Sequence, residues 1–267
     1  FGKAAELCRK AADQGSADAE CRLGDMYYFG RGVGLSYRDA AGWYEKAAGN
    51  GSAEAKYRLG CMHDSGIAVK QDSGEALRLY QEAAEEGCAD AEYRLGCLYD
   101  SGVTVRQDSG EALKWYRMAA EKGEAAAAYD LGVMYLNGEG VGQDSSEALR
   151  LFRSAAEQGM PQAQYNLALM YKNGNGTEKD DLEALRWFRE SAEQEYAEAQ
   201  NWMGVIYQFG EGVELDCAKA AEWYRKAAAQ DCALAEYNLG YLYKTGKGVR
   251  QDYAEAFKWY TKAAANG

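Results

Sequence analysis

The chain repeats itself every 36 residues. Written in lines of that length from Ala17, it gives seven repeats without an insertion or deletion, starting at residues 17, 53, 89, 125, 161, 197 and 233, while residues 1–16 match the second half of a further repeat. A constant period of this length is typical of a solenoid, in which each unit buries its apolar face against its neighbours. We therefore predict a single repeat domain over residues 1–267. The repeats are numbered one to seven below, and the positions within each 1 to 36.

Each repeat contains the pattern of two amphipathic helices. In repeat three, apolar residues recur at helical spacing at Ala91, Leu95 and Leu98, and again between Ala112 and Ala120. Position 14 is glycine in every repeat, which suits the left-handed conformation that ends a helix. The pattern predicts an all-α fold, a right-handed α-α superhelix of antiparallel helix pairs.

An acidic pair opens the second helix of most repeats. Positions 20 and 23 read Asp-x-x-Glu from Asp72, Asp108, Asp144, Asp180 and Asp252. Paired carboxylates can serve as an acid/base dyad, but these recur where a helix starts, so we predict capping boxes in which the Asp accepts from a backbone amide and the Glu returns to the cap. Position 35 is glycine except at Glu195 and Asp231, where we expect distorted, less stable turns.

Residue size predicts where the helices approach one another. Position 8 is glycine or alanine in every repeat, and Ala-Ala pairs such as Ala83-Ala84 recur in the second helix, so we expect close helix contacts there. Position 27 is tryptophan or leucine and is followed by an aromatic residue; we predict that this stripe is core rather than a sugar- or cofactor-stacking surface. His63 replaces the tyrosine found at position 11 of the other repeats and is predicted to be a core substitution.

Composition excludes several classes of function. With 42 acidic and 30 basic residues the net charge is −12, which argues against nucleic-acid binding and a polybasic membrane surface. No apolar run approaches the ~18 residues needed to cross a bilayer. Seven cysteines without a CxxC or a Cys/His cluster encode neither a zinc site nor a closed disulfide framework, so we predict no metal, no cofactor and mostly free, buried thiols. Such thiols favour a cytoplasmic location, although the first residue is Phe1, so a removed leader and a secreted or periplasmic location stay open.

The line A-x-x-x-L-G-x-M-Y-x-x-G-x-G-V, followed by D, A and A-A-x-x-G, resembles the Sel-1-like repeat, a longer relative of the tetratricopeptide repeat. In repeat four it is carried by Ala127, Leu131, Gly132, Met134, Tyr135, Gly138, Gly140, Val141, Asp144, Ala148, Ala155, Ala156 and Gly159. The resemblance covers essentially the whole chain. A plain tetratricopeptide array has a shorter period and lacks the G-x-G-V segment, and RNA-binding helical repeats are opposed by the net charge.

The resemblance implies a scaffold or adaptor for a protein or peptide, and it implies no reaction. One cysteine-rich bacterial branch is associated with binding or hydrolysing β-lactams, which leaves a β-lactam or peptidoglycan-fragment protein as an alternative. This chain lacks the cysteine pair once per repeat that such a branch would show, and it has no S-x-x-K motif and one histidine, so we predict no enzyme. A structural spacer is the third alternative.

By analogy with tetratricopeptide geometry, a concave groove would present positions 2, 5, 9, 12 and 13. In repeats one to three these hold six acids and no base, and repeats four to seven are mostly apolar there with one acid and two bases. We predict an unpaired acidic track and a bound segment with basic and hydrophobic parts. The tyrosines at position 5 equally suit packing. The candidate binding residues are Asp25, Tyr28, Phe29, Tyr57, Asp64, Tyr93, Asp100, Tyr129, Leu136, Tyr165, Lys172, Phe209, Tyr241 and Lys244.

The ends of the chain lack the polar caps that a solenoid needs. Residues 1–16 begin in the middle of a repeat and Gly267 is the last residue of one line, so we expect apolar surface at both ends. This predicts either a fragment of a longer repeat protein or an association of the ends with a partner or with another copy.

Overall fold

The computed structural model describes residues 2–267, and over these residues it contains fifteen α-helices and no strand. In chain order they are α1 Gly2–Ala12, α2 Ala17–Phe29, α3 Tyr37–Gly49, α4 Ala53–Ser65, α5 Ser73–Glu85, α6 Ala89–Ser101, α7 Ser109–Glu121, α8 Ala125–Asn137, α9 Ser145–Glu157, α10 Pro161–Asn173, α11 Asp181–Glu193, α12 Ala197–Phe209, α13 Cys217–Ala228, α14 Ala233–Thr245 and α15 Tyr253–Asn266. Each repeat therefore supplies one helix pair, and consecutive helices pack on one another from α1 to α7 in the first part of the chain and from α8 to α15 in the second. The predicted all-α solenoid of helix pairs is confirmed.

The chain divides into two compact units, Phe1–Ala127 and Ala128–Gly267. Repeats one to three belong to the first unit, and repeats five to seven to the second. Within a repeat the pair is antiparallel, since the start of the first helix meets the end of the second, as Glu92 meets Lys122, while Gly96 meets Tyr116 in the middle.

Of the two bonds predicted for each capping box, the one accepted by the Asp forms and the one from the Glu back to the cap does not. Asp108 Oδ1 accepts from the amides of Gly110 and Glu111 at 3.0 and 3.1 Å, and the same bonds recur at Asp72, Asp144, Asp180, Asp216 and Asp252. The predicted return of the Glu to the cap is wrong, because the cap amide already donates to a carbonyl at the end of the first helix, as Asp108 does to Tyr99 at 2.9 Å. The Glu instead pairs with a base three residues later.

Glycine at position 8 lets the two helices of a repeat touch. A Cβ on Gly96 would lie 2.5 Å from the ring of Tyr116, and one on Gly204 would lie 2.4 Å from Tyr224. Such distances are closer than van der Waals contact allows, so the expected close approach is confirmed. Aromatic rings at position 28 are fully buried here, as at Tyr44, Tyr80 and Phe152.

The tryptophan stripe at position 27 is only partly core. Trp187 is buried, whereas Trp43, Trp115, Trp223 and Trp259 are half-buried and each has a lysine over its ring. The prediction of a core stripe is therefore wrong for these four. The aromatic residue that follows occupies the core because it faces the position-8 glycine, which leaves the indole at the edge between neighbouring second helices.

His63 is not a core residue. It is half-buried, its Nδ1 lies 3.3 Å from the carbonyl of Lys70, and with Glu45 and Glu75 it lines a cleft of about 310 Å³. Most tyrosines at this position are half-buried as well, and Tyr243 accepts a hydrogen bond from Arg225 of the preceding repeat at 3.2 Å; Tyr171 alone is buried. The replacement is thus an exchange of one polar edge group for another.

The two turns that lack glycine at position 35 keep the left-handed conformation, with φ of 65° at Glu195 and 59° at Asp231. Both turns keep the closing bond, at 3.3 Å against 3.0 to 3.2 Å where glycine is present, and their φ is smaller than the 83° to 91° of the glycines. The expected local distortion is present, because a residue with a Cβ is strained at positive φ.

All seven cysteines are free, as predicted, but only Cys21 is buried and the other six are half-buried. The prediction of buried thiols is therefore wrong for most of them. No helix in residues 2–267 has the length and apolar character of a membrane span.

Candidate partner-binding face

The first helices of the repeats carry all fourteen predicted binding residues. In the first compact unit this face is formed by α2, α4 and α6, and in the second by α10, α12 and α14 together with the part of α8 from Ala128 onward. Each is described by itself below.

The unpaired acidic track predicted for the first unit does not exist. Asp25 Oδ1 accepts a hydrogen bond from the hydroxyl of Tyr44 at 2.7 Å and lies 3.5 Å from Arg58 Nε of the next repeat. Asp64 pairs with Arg94, again in the next repeat. Asp100 alone of the three is exposed and has no ion-pair partner among the described residues.

The reason is that the arginines at position 6 reach across repeat boundaries. Arg58 also pairs with Glu54 four residues earlier, at 2.8 Å, but Arg94 pairs with Asp64 of the preceding repeat. Sequence spacing suggested pairs within one helix; tertiary packing brings a second carboxylate within reach. Asp25, Glu54 and Asp64 are thereby neutralised, whereas Asp18, Asp90 and Asp100 are exposed and have no ion-pair partner among the described residues. The acids do not form the continuous unpaired track that was predicted.

Burial and the bond to Asp25 hold the pKa of Tyr44 above its usual range, so the phenol stays protonated and donates to the carboxylate. The bond ties α3 to α2 within repeat one, and the ion pair with Arg58 ties α2 to α4. Asp25 thus has a structural place in the fold.

The tyrosines at position 5 pack on the core aromatic of their own repeat. Ring centroids are 5.9 Å apart for Tyr57 and Tyr80, 5.8 Å for Tyr93 and Tyr116, 5.7 Å for Tyr129 and Phe152, and 5.9 Å for Tyr165 and Phe188. All four are half-buried. They present one edge to solvent and anchor the other in the core, so a partner would meet a preorganised aromatic surface.

In the second unit the repeats are joined along this face by neutral groups and by one ion pair. Asn238 Nδ2 donates to Asn201 Oδ1 at 2.9 Å across a repeat boundary, and Trp202 stacks on Phe188 with the rings 5.3 Å apart. The predicted contact residue Lys172 pairs with Glu211 of the next repeat, so its charge is neutralised.

Of the other predicted residues of this unit, Leu136 and Tyr241 are half-buried and Lys244 is exposed. Lys244 lines an open cleft of about 570 Å³ beside Leu234 and Tyr237, which are 68 and 57 % exposed.

Two large apolar residues stand out at the C-terminal ends of first helices. Phe29 is 49 % exposed and Phe209 is 63 % exposed, and both occupy position 13, where other repeats have Ser, Asn or Thr. Packing explains neither ring. Exposed aromatic side chains of this kind are typical anchors for a partner.

Sequence reasoning missed the residues that accompany these two rings. Position 19 is glutamine in four repeats, and its amide donates to a carbonyl at the end of the first helix, as Gln107 does to Asp100 at 2.8 Å. Only the two repeats that carry Phe at position 13 have leucine there: Leu35 and Leu215, each 60 % exposed. The joint departure of positions 13 and 19 was a signal in the sequence.

A buried polar link within six of the seven helix pairs was also missed; repeat four has Ala128 at this place. Glu92 is fully buried and accepts from Lys122 at 2.6 Å, joining position 4 to position 34. Repeat two reverses the charges with Lys56 and Glu86, and repeat five uses Gln164 and Gln194, 2.8 Å apart. The residues that form the link differ between repeats, but they always occupy positions 4 and 34. We therefore interpret the link as structural.

Three potential metal ligands, Glu54, Cys88 and Asp90, lie within 4.8 Å of one another. Glu54 is already paired with Arg58, and burial raises the pKa of the Cys88 thiol to about 11. A protonated thiol is a poor metal ligand. The cluster is therefore explained by packing and an ion pair.

The fold and this face define a helical-repeat protein with a continuous series of equivalent two-helix units. Residues 1–16, 17–52, 53–88, 89–124, 125–160, 161–196, 197–232 and 233–267 each match the Sel1 repeat. The chain belongs to the Sel1 repeat family, and the resemblance seen in the sequence is confirmed. The fold of this family is generally that of a protein–protein interaction scaffold.

Two solved structures are similar over nearly the whole chain. The protein c5321 is described as a protective antigen present in uropathogenic Escherichia coli strains with an SLR fold; it is 37% identical, with 98% of this chain and 56% of that chain covered and a TM-score of 0.87. A Sel1 repeat protein from Oxalobacter formigenes is 34% identical, with 98% and 76% covered and a TM-score of 0.73. The chain thus spans about half the length of the first. No curated protein sequence matches the chain significantly.

Proposed function

We propose that this chain is a non-catalytic scaffold that binds a peptide or protein segment along the first-helix face. The observation that carries the proposal is the pair of exposed phenylalanines, Phe29 and Phe209, at one repeat position where other repeats have small polar residues. Desolvating such a ring on binding stabilises a complex, and a monomer gains nothing from leaving it in water.

The surroundings of these rings support the same proposal. Half-buried tyrosines such as Tyr57 and Tyr165 are held on one side by the core, so they lose little conformational entropy when a partner covers them. Asp25 and Asp64 are engaged by arginines, so the proposal does not depend on a basic partner.

The test is selection of binders from a phage-displayed library of random peptides on the immobilised chain. Recovered peptides are then titrated against Phe29→Ala, Phe209→Ala and the control Leu182→Ala, which removes a 70 % exposed leucine from a second helix. We expect at least about a tenfold loss of affinity for one phenylalanine variant and no loss for the control.

An equal loss for the control, or no effect of either phenylalanine, would overturn the proposal. Recovery of no peptide at all would favour the structural spacer. Circular dichroism of each variant checks that the helices are intact.

A further inference from the structure

The edge of repeat one between Arg22 and Arg38 differs in charge from the rest of the molecule. The chain has a net charge of −12, yet this stretch contains three arginines, Arg22, Arg31 and Arg38, and one acid, Asp25. All three arginines are exposed, and no carboxylate of the described residues lies within ion-pair distance of them. Some arginines elsewhere, such as Arg78 and Arg150, are paired with carboxylates of their own helix, whereas others, such as Arg106, have no ion pair among the described residues but lack an exposed aromatic cluster beside them.

These arginines surround an exposed aromatic cluster. Tyr28 packs edge-on against Phe29 and Tyr37, with ring centroids 5.0 and 5.1 Å apart, and Arg31 lies over the Phe29 ring at 4.8 Å. Arg22 precedes Phe29 by seven residues, so the two share a helix face about 10 Å apart.

The acidic groups near the cluster do not cancel this charge. Asp25 lies between Arg22 and Phe29 on the same helix face but is engaged by Tyr44 and Arg58. Asp39, in the first turn of α3, is exposed and opposes Arg38. Asp18 is exposed, has no ion-pair partner among the described residues and precedes Arg22 by four residues on α2. Three arginines against these two free carboxylates leave the edge with a small excess of positive charge.

Leu35, beside the cluster, occupies position 19, where four other repeats have a glutamine that caps the first helix. The Cβ of Leu35 lies close to Gly30, since a Cβ built on that glycine would be 3.2 Å away from it; Leu35 therefore lies against the end of α2, next to Phe29 in the chain. Four repeats use glutamine here to cap a helix carbonyl, a bond that contributes about 1 kcal/mol. Repeat one has instead an exposed leucine, which has no structural gain to offset the lost bond.

We propose that this edge, formed by Tyr28, Phe29, Leu35 and Tyr37 with Arg22, Arg31 and Arg38, binds an acidic segment of a partner protein that carries an aromatic or large apolar side chain. The apolar side chain covers Phe29 and Leu35, and the carboxylates meet the three arginines, which have no internal partner to give up. This inference rests on the proposed function and names the partner's chemistry at one end of the face.

The chain contains its own control. Repeat six carries the same apolar pair, Phe209 and Leu215, but Glu211 and Glu214 flank it and the equivalent of Arg22 is Trp202. The apolar pair is thus shared while the flanking charges differ; repeat six has Gln208 and Cys217 in place of Tyr28 and Tyr37, and its Glu211 pairs with Lys172. An acidic segment should bind the edge of repeat one and not that of repeat six.

The experiment measures fluorescence anisotropy of three short synthetic peptides of equal length with the full chain: Asp and Glu around one Phe, the same with Ala for Phe, and the same with Lys for the acids. We expect the acidic Phe peptide to bind best and to weaken several-fold when salt rises from about 50 to about 300 mM. Phe29→Ala should weaken it about tenfold or more, Arg31→Glu about fivefold or more, and Phe209→Ala not at all.

Three results would overturn the inference: no binding of the acidic Phe peptide, equal binding of the Ala or the Lys peptide, or equal loss in Phe29→Ala and Phe209→Ala. If the acidic peptide fails while library peptides still depend on Phe209, the scaffold function stands and only the assignment of an acidic partner falls. If neither class binds, both fail. The variants alter exposed side chains, and unchanged helicity confirms their folding.

Discussion

Equivalent positions carry different chemistry in the two compact units. In the first, repeats are joined along the first-helix face by ion pairs, Asp25 with Arg58 and Asp64 with Arg94; in the second, by an amide pair, Asn201 with Asn238, by stacking of Trp202 on Phe188 and by one ion pair, Lys172 with Glu211. The residue at position 6, which is Arg58, Arg94, Trp202 or Asn238, thus links to the preceding repeat in both units, but the chemistry of that link differs. A row of acids in a repeat sequence is accordingly no guide to a charged binding surface until its partners in the neighbouring repeat are known.

The residue at position 16, in the loop between the two helices of a repeat, also differs between the two units. It is glycine throughout the second unit, where a Cβ on Gly176 would lie 2.3 Å from the carbonyl oxygen of Ser145, but it is alanine in repeat two, where Ala68 has a φ of 60°. Repeats five and seven, with Gly176 and Gly248, use the close approach that glycine permits, whereas repeat two tolerates strain at Ala68.

The largest effect should come from exchanging these loop residues. Gly176→Ala should lower the free energy of unfolding by about 3 kcal/mol or more, because the new methyl group meets backbone in a left-handed conformation. Ala68→Gly should raise it by about 0.5–1 kcal/mol by relieving strain. Urea denaturation followed by circular dichroism measures both. A destabilising Ala68→Gly would show that the two loops do not differ in strain.

The buried link between positions 4 and 34 gives the next largest effect. Lys122→Ala should cost about 2 kcal/mol, because it leaves the fully buried Glu92 without its ion-pair partner. The double variant Glu92→Gln with Lys122→Gln recreates the Gln164–Gln194 pair of repeat five and should stay within about 1 kcal/mol of the unchanged chain. Urea midpoints test this. Equal losses in both variants would mean that the link is not interchangeable.

Salt should separate the two kinds of inter-repeat link. Arg94→Ala removes a partly exposed ion pair and should cost about 1 kcal/mol at low salt and less at about 1 M salt. Asn238→Ala removes a neutral bond of similar worth, and its cost should not change with salt. Urea unfolding at both ionic strengths gives the two differences. A salt-independent cost for Arg94→Ala would contradict an ionic link.

The smallest effect concerns pH at position 20, which is Ser36 in repeat one and Asp216 in repeat six. The backbone amide of Lys219, which donates to Asp216, lowers the pKa of that carboxyl. A lowered folded pKa stabilises the chain above the unfolded value of about 3.9, and this stability disappears as the pH falls through the folded pKa.

Asp216→Asn keeps a capping side chain and should make acid unfolding below about pH 4 less steep, with little change at neutral pH. Ser36→Ala should lower the melting temperature equally at both pH values, since a hydroxyl cap carries no charge. Thermal unfolding at pH 7 and about pH 3 compares them. An unchanged acid branch in Asp216→Asn would show that this cap carries no pH-dependent stability.

Much of the fold was predictable because it depends on short-range rules repeated many times. Helix periodicity, the glycine at position 14 and the Asp at position 20 each act within one or two turns of chain. The position-8 glycines also predicted close contact between the two helices of a repeat, and Gly96 lies against Tyr116 as expected.

The candidate site was predictable only in part. Phe29 and Phe209 depart from their repeat positions and are exposed, as predicted. Asp25 and Asp64 were misjudged, because their arginine partners come from the next repeat, 33 and 30 residues along the chain. Trp115 and Tyr116 are adjacent and both large, and only packing places the tyrosine rather than the tryptophan inside.

The sequence by itself determined the family, the number of helices and their boundaries, since a constant period leaves one way to bury every apolar stripe. Tertiary structure decided which charges remain available to a partner. A side chain at the surface of one repeat can be neutralised by the next, so the charge of Arg58 is engaged while that of Arg31 is free. Which charged side chains pair with one another depends on their neighbours in space. Sequence spacing predicts an ion pair only where both residues lie on one helix.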